Sequence, residues 1–196
     1  MRVVAGSRKG ARIFAPKGVD TRPTADRVRE AAFNLIGPVD DLAILDLFAG
    51  SGAMGIEALS RGAARAVFVE SDLNATRAIE RNLEKLHLTG AVIVRMDAIT
   101  ALATEAAAGR RYDLMLVDPP YEMFSSVHTG LERYLPAVLE SGALVVVETG
   151  AAEEPELPLP KRTSRRYGSA RLTVFESDRE GQSLNRDSPC EGTVPQ

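Results

Sequence analysis

The chain has 196 residues, is 44% hydrophobic and 26% charged, and carries a net charge of −3, the size and balance of one soluble domain with a sizeable core. One cysteine and two histidines exclude a disulfide framework and leave no metal site to expect. No apolar run approaches the ~20 residues of a membrane span, and no apolar stretch follows MRVVAGSRKG to make a secretory signal, so a reducing, cytoplasmic setting is expected.

In chain order, the first fifteen residues alternate loosely around GSRKG and predict a β-hairpin. TRPTADRVREAAFNLIG predicts a helix, with Thr24 as N-cap, Val28, Ala31, Ala32 and Leu35 at helical spacing, and Gly37 as the stop. From residue 42 the rhythm changes. LAILDLF, RAVFVES, AVIVRMD, YDLMLVD and ALVVVE are strand-length and apolar nearly throughout, and between them lie AMGIEALSRG, DLNATRAIERNLEKLHL, AITALATEAAAGR and SSVHTGLERYLPAVLE with helical patterning. Strands apolar on both faces, alternating with helices, predict an α/β fold: a Rossmann-like, mostly parallel sheet with helices on both faces. KRTSRRYG and ARLTVFE read as a closing hairpin around Gly168-Ser169, and residues 177–196 have too little to bury and read as a disordered tail. The expected organisation is an N-terminal hairpin and helix over 1–40, a core domain over 41–176, and the tail. No apolar helix is left over for a partner copy, so a monomer is expected.

Charge is unevenly spread. Residues 1–30 carry a net +5 and residues 161–171 another +5, so the rest of the chain holds −13. Two basic segments on an acidic body point to a polyanion such as a nucleic acid. Arg8, Lys9, Arg12, Arg22 and Arg27 are the candidate contacts of the first segment; Arg165, Arg166 and Tyr167, two guanidinium groups beside an aromatic ring, are those of the second. Solvated loop charge is the bland alternative for both.

DLFAGSGAMGIE places Gly50, Gly52 and Gly55 directly after one strand and before a helix, where a tight turn lets backbone approach a ligand. The candidate binding positions are Asp46, Phe48, Ala49, Gly50, Gly52 and Gly55 in this stretch, Glu70 and Ser71 after the second strand, and Asp97 and Ala98 after the third. Thr24 is added to them if the first helix folds over the ligand. Glu70 is placed to accept from ribose hydroxyls, and Asp97 lies within reach of an adenine ring. A dinucleotide would set its pyrophosphate at the helix N-terminus. An ionised Asp46 opposes that anion but suits the positively charged methionine end of S-adenosylmethionine, which the order of acids therefore favours.

TRPTADRVREAAFNLI, DLFAGSGAMGIEALSRGA, FVESD, DPPY and RRYG stand in an order that resembles the RsmD family across residues 1–176. The resemblance implies a class I methyltransferase that uses S-adenosylmethionine to methylate guanine N2 of 16S ribosomal RNA in the bacterial cytoplasm, on the assembling or assembled small subunit. It implies cofactor contacts at Asp46, Gly50, Gly52, Glu70 and Asp97, and chemistry at Asp118, Pro119, Pro120 and Tyr121. The connector AAEEPELPLP before the last hairpin is a departure from the family pattern.

The chemistry asked of DPPY is definite. A guanine amine is a weak nucleophile because its lone pair is delocalised, so both N–H groups need acceptors. Asp118 supplies one and the Pro119 carbonyl a second. The two prolines fix the backbone and bring no competing N–H, and Tyr121 can stack on an unstacked base. DPPY suits adenine N6 equally, which leaves a DNA adenine methyltransferase as one alternative and a non-catalytic RNA-binding assembly factor as another. A dinucleotide oxidoreductase would leave DPPY unexplained.

Overall fold

The computed structural model describes residues 1–15, 23–120 and 123–178. Five helices and seven strands follow one another as α1 (Pro23–Ile36), β1 (Ala43–Leu47), α2 (Ala53–Ser60), β2 (Arg65–Glu70), α3 (Leu73–Leu86), β3 (Ala91–Arg95), α4 (Ala98–Ala107), β4 (Tyr112–Val117), α5 (Phe124–Val138), β5 (Leu139–Gly150), β6 (Lys161–Tyr167) and β7 (Ala170–Glu176). The strands form one sheet in the order β3-β2-β1-β4-β5-β7-β6. The first five are parallel; β7 runs antiparallel beside β5, and β6 pairs with β7 across the tight turn at Gly168-Ser169. The Rossmann-like α/β expectation is met.

Period-2 alternation divides the core in two. Ile44, Ala66, Phe68, Leu114, Leu116, Val146, Leu172 and Val174 pack with α1, α2 and α3 on one face. Leu45, Leu47, Val67, Val69, Met115, Val117, Val145 and Val147 pack with α4 and α5 on the other. The N-terminal elements join the first of these cores through Val3, Ile13, Val28, Phe33 and Ile36.

Three local expectations change. The hairpin of the first fifteen residues is one antiparallel bridge, Arg2 to Arg12, around a 3-10 turn at Gly6–Arg8. Pairing stops there because the N–H groups of Val4 and Ala5 donate to the carboxylate of Glu57 (2.7 and 2.9 Å). Helix α1 begins at Pro23, so Thr24 lies inside it and is not its cap; proline suits a first helical turn, where its missing N–H costs nothing. Strand β3, expected to be covered on both faces, is the sheet edge, and Val92 is 47% exposed. The tail from residue 179 on, with Cys190, lies outside the described residues.

Candidate active site

The ends of β1, β2, β4 and β5 and the start of α4 enclose a cavity of about 540 Å³, lined by Phe48, Gly50, Val69, Glu70, Ser71, Met96, Asp97, Ala98, Asp118, Pro119, Pro120, Met123 and Glu148. Nine of these were legible as candidates in the sequence. Tyr121 lies outside the described residues, as do Arg22 and the side chain of Thr24.

The glycine loop is shaped by its own chain. Gly52 sits at φ 77°, in the left-handed region that glycine enters without a Cβ penalty. Gly55 is needed for a different reason: a Cβ there would stand 2.3 Å from the Phe68 ring, so only glycine lets α2 press onto β2. Phe48, a non-glycine residue at φ 62°, holds the strained backbone that functional loops concentrate.

Acids, not phosphate, fill this loop's donors. The Gly50 N–H donates to Glu70 Oε2 (2.8 Å), whose Oε1 accepts from Asp72 N–H (2.8 Å). The Gly55 N–H donates to Asp46 Oδ2 (2.9 Å). Asp46 is buried behind the loop, at 2% exposure, and does not line the cavity. Burial pushes its pKa up to about 7, against the Gly55 hydrogen bond and with help from the charges of Asp118 and Glu70. Asp97 caps α4, its Oδ1 accepting from Thr100 N–H (3.0 Å) and Oγ1 (3.1 Å). Ala49, Gly52 and Gly55 support the loop from behind the cavity wall.

The arrangement discriminates between ligands. A pyrophosphate would find two of the loop's amides occupied by carboxylates and further acids around it. A cation-bearing nucleoside finds the complement: carboxylate lone pairs left on Glu70, Asp97 at the far wall, and apolar surface from Phe48, Val69, Met96, Ala98 and Met123 for a flat ring. The residues present fit S-adenosylmethionine.

On the reactive side, Asp118 follows β4 directly and opens into the cavity. Desolvation at its base raises its pKa to about 6. Pro119 is buried, and the Pro120 carbonyl accepts from Met123 N–H (2.7 Å), whereas no described donor is set on the carbonyl of Pro119. Beside Asp118 stands Glu148, which sequence reasoning missed. The rule that selected Glu70, Asp97 and Asp118, an acid closing an apolar run, applies equally to it. Its pKa is raised to about 8 by burial and by the charge of Asp118.

The basic candidates divide between the two edges of the sheet. Gly150 at the end of β5 pairs with Ala170, which pairs with Tyr167, so Arg165, Arg166 and Tyr167 stand at the cavity's end of the sheet, on its outermost strand. Arg165 and Arg166 are exposed. Arg8 donates to the carbonyls of Leu86 (2.5 Å) and His87 (3.3 Å) at the C-terminus of α3, which is the opposite edge. Exposed Lys9 is its chain neighbour there, and the Arg12 carbonyl accepts from Lys85 (2.9 Å). Arg27 is exposed on α1.

Comparison with known proteins agrees with this geometry. The family described as "Conserved hypothetical protein 95" matches residues 1–176. A Bacillus subtilis protein named "Putative rRNA methyltransferase YlbH" is 42% identical over 185 residues, covering 90% of this chain and 98% of that protein. Ribosomal RNA small subunit methyltransferase D of Escherichia coli K12 is 40% identical over 122 residues, 62% of this chain and 60% of that one. The solved Escherichia coli structure named "Putative methyltransferase yhhF" superposes with a TM-score of 0.78 at 32% identity, over 92% of this chain and 99% of that one.

Proposed function

The chain belongs to the RsmD family, described as conserved hypothetical protein 95, and on that premise we propose that it methylates the exocyclic N2 amine of a guanine in 16S ribosomal RNA. S-adenosylmethionine, when bound, supplies an electrophilic methyl on a sulfonium. The observation that carries this reading is the pair of carboxylates, Glu70 and Asp46, on the amides of Gly50 and Gly55: the loop is prepared for a cation.

The chain's own residues do the rest by placement. Asp118 accepts one N–H of the target amine and the Pro119 carbonyl the other. Donation into these acceptors keeps electron density on the nitrogen and draws it out of the plane of the ring. The fixed φ of Pro119 and Pro120 holds the acceptors still, so little reorganisation is left for the transfer itself. Asp118, with its pKa near 6, is suited to take the proton that the methylated nitrogen loses. Tyr121 is the ring this reading assigns to stacking on the base. With the cofactor bound, Glu70 would hold its ribose hydroxyls and Asp97 would serve its adenine.

RNA enters over the β6–β7 turn. Arg165, Arg166 and Tyr167 stand at the cavity's end of the sheet and are suited to a phosphate and an unstacked base; Lys9 and Arg12 offer a second, separate basic surface at the opposite edge, and Arg27 one on α1. The reading includes the small subunit, assembling or assembled, as the particle acted on, and a monomer working in the bacterial cytoplasm. Among the described residues no helix is long and apolar enough to cross a membrane.

Incubating small subunits from cells lacking this protein with tritiated S-adenosylmethionine, then digesting the RNA to nucleosides, tests the reading. Label in N2-methylguanosine is expected. Label in N6-methyladenosine, or transfer to matched DNA with none to RNA, would overturn it.

A further inference from the structure

Guanine presents two kinds of donor side by side on its pairing edge, the N2 amine and the N1–H. Asp118 and the Pro119 carbonyl answer the first; nothing so far answers the second. The sheet register supplies a candidate. Leu116 pairs with Val146 and Val117 with Val147, so the next step along both strands sets Asp118 beside Glu148. Parallel strands lie about 4.8 Å apart. Alternation puts both side chains on the face shared by Leu116, Val146 and Leu172, and both line the cavity.

Two features separate Glu148 from a structural acid. No described residue donates a hydrogen bond to it or forms an ion pair with it. Its position on β5 is also set from both sides, by β4 and by Leu172 of β7, so its carboxylate is held at a fixed height relative to Asp118. A half-buried acid without a donor carries an unmet desolvation cost, and a ligand N–H would relieve it.

We infer that Glu148 reads the target base: its carboxylate accepts the N1–H of guanine while Asp118 and the Pro119 carbonyl hold the N2 amine. This rests on the guanine reading above and goes past it by naming the residue that distinguishes guanine from other amino-bearing bases. Burial and the field of Asp118, which favour protonated Glu148, are opposed once an N1–H is donated to it. 2-Aminopurine keeps the amine at C2 but has a bare acceptor at N1, which the carboxylate rejects. Adenine likewise sets an acceptor beside its amine.

The test compares wild type, Glu148→Gln and Glu148→Ala in the tritiated assay, with cofactor affinity and melting temperature measured on each. On small subunits both variants are expected to lose about 30-fold or more in kcat/KM, the discrimination that one base-edge contact provides. Cofactor affinity is expected to stay within about three-fold of wild type, since a group set on the base does not touch the cofactor. Once the wild type has located its guanine, RNA fragments carrying 2-aminopurine or adenine at that position give the second arm. Wild type is expected to reject both. Glu148→Gln, whose amide can donate to a bare N1, is expected to narrow the preference for guanine over 2-aminopurine by about ten-fold or more, which a merely structural role would not do. Unchanged kcat/KM on small subunits, an unchanged preference in Glu148→Gln, or ready methylation of the adenine fragment by wild type would each overturn the assignment. If wild type itself places no label in guanine, the guanine reading falls and takes this inference with it; label from wild type with unimpaired variants removes this inference alone.

Discussion

Two groups of acids lie in this fold, and they are treated in opposite ways. Glu57, fully buried on α2, accepts from Val4 N–H, Ala5 N–H and Arg61 Nε (2.8 Å), with Arg29 Nε at 3.4 Å. Three hydrogen bonds and an ion pair answer it, and the result is mechanical: the N-terminal arm is fastened to the domain. Asp46, Asp118 and Glu148 have few donors or none, and burial pushes all three up. An acid that is fully answered within the chain builds structure. One left short of donors at a cavity wall, as Asp118 and Glu148 are, is answered by something that arrives.

Exchanging residues between these groups should therefore move different observables. The largest effect is expected at Asp118. Asp118→Ala should lower methyl transfer by about 10³-fold, the scale of losing an acceptor set for the transition state, while cofactor affinity stays within a few-fold; near-normal turnover in the tritiated assay would erase the distinction drawn here. Glu57→Ala should do the reverse. Breaking a buried ion pair costs about 3–5 kcal/mol, which in a chain of this size lowers the melting temperature by roughly 10 °C, and calorimetry would read it directly.

Asp46 gives the smallest and most diagnostic effect. Its pKa in the fold, about 7, is above the ordinary 3.8, so the folded state holds this proton more tightly than the unfolded chain. Its contribution to stability is complete below pH 4 and is lost as the pH rises through 7. Asp46→Asn should match wild type near pH 4 and melt roughly 5 °C higher at pH 8, while binding S-adenosylmethionine about ten-fold more weakly for want of the negative charge. A variant that melts lower at pH 8 would show that Asp46 belongs with Glu57.

The sequence displayed the site better than it displayed the scaffold. Strand-end acids, the glycine loop and the residues beside them are short-range signals, read from a residue and its neighbours, and nine such candidates line one cavity. Glu148 carried the same signal and needed only the same rule. Glu57 and Asn82 carried none, because each sits within an ordinary helical pattern and acquires its role from a segment some 50 to 70 residues away. The hairpin was cut short for that reason: the competitor for its amides was not local. The inward half of the charge reading, Arg165 to Tyr167, depended on β7 running antiparallel, which brings the turn back to the cavity's end of the sheet. Arg8 looked like its equal in composition and is committed instead to the end of α3.

Asn82 has one more consequence. Its amide, wholly buried, joins three stretches: it exchanges hydrogen bonds with Phe14 (2.7 and 2.9 Å) and donates to the Ser51 carbonyl (3.1 Å). The arm of residues 1–14 finds its other holds at Glu57, Ser60, Leu86 and His87. On a translating ribosome these residues are made well after the arm, which waits for some fifty more to follow before Glu57 and Ser60 can hold it, and for some seventy to eighty before Asn82, Leu86 and His87 can. During that interval Val3 and Ile13, buried in the finished molecule, travel uncovered.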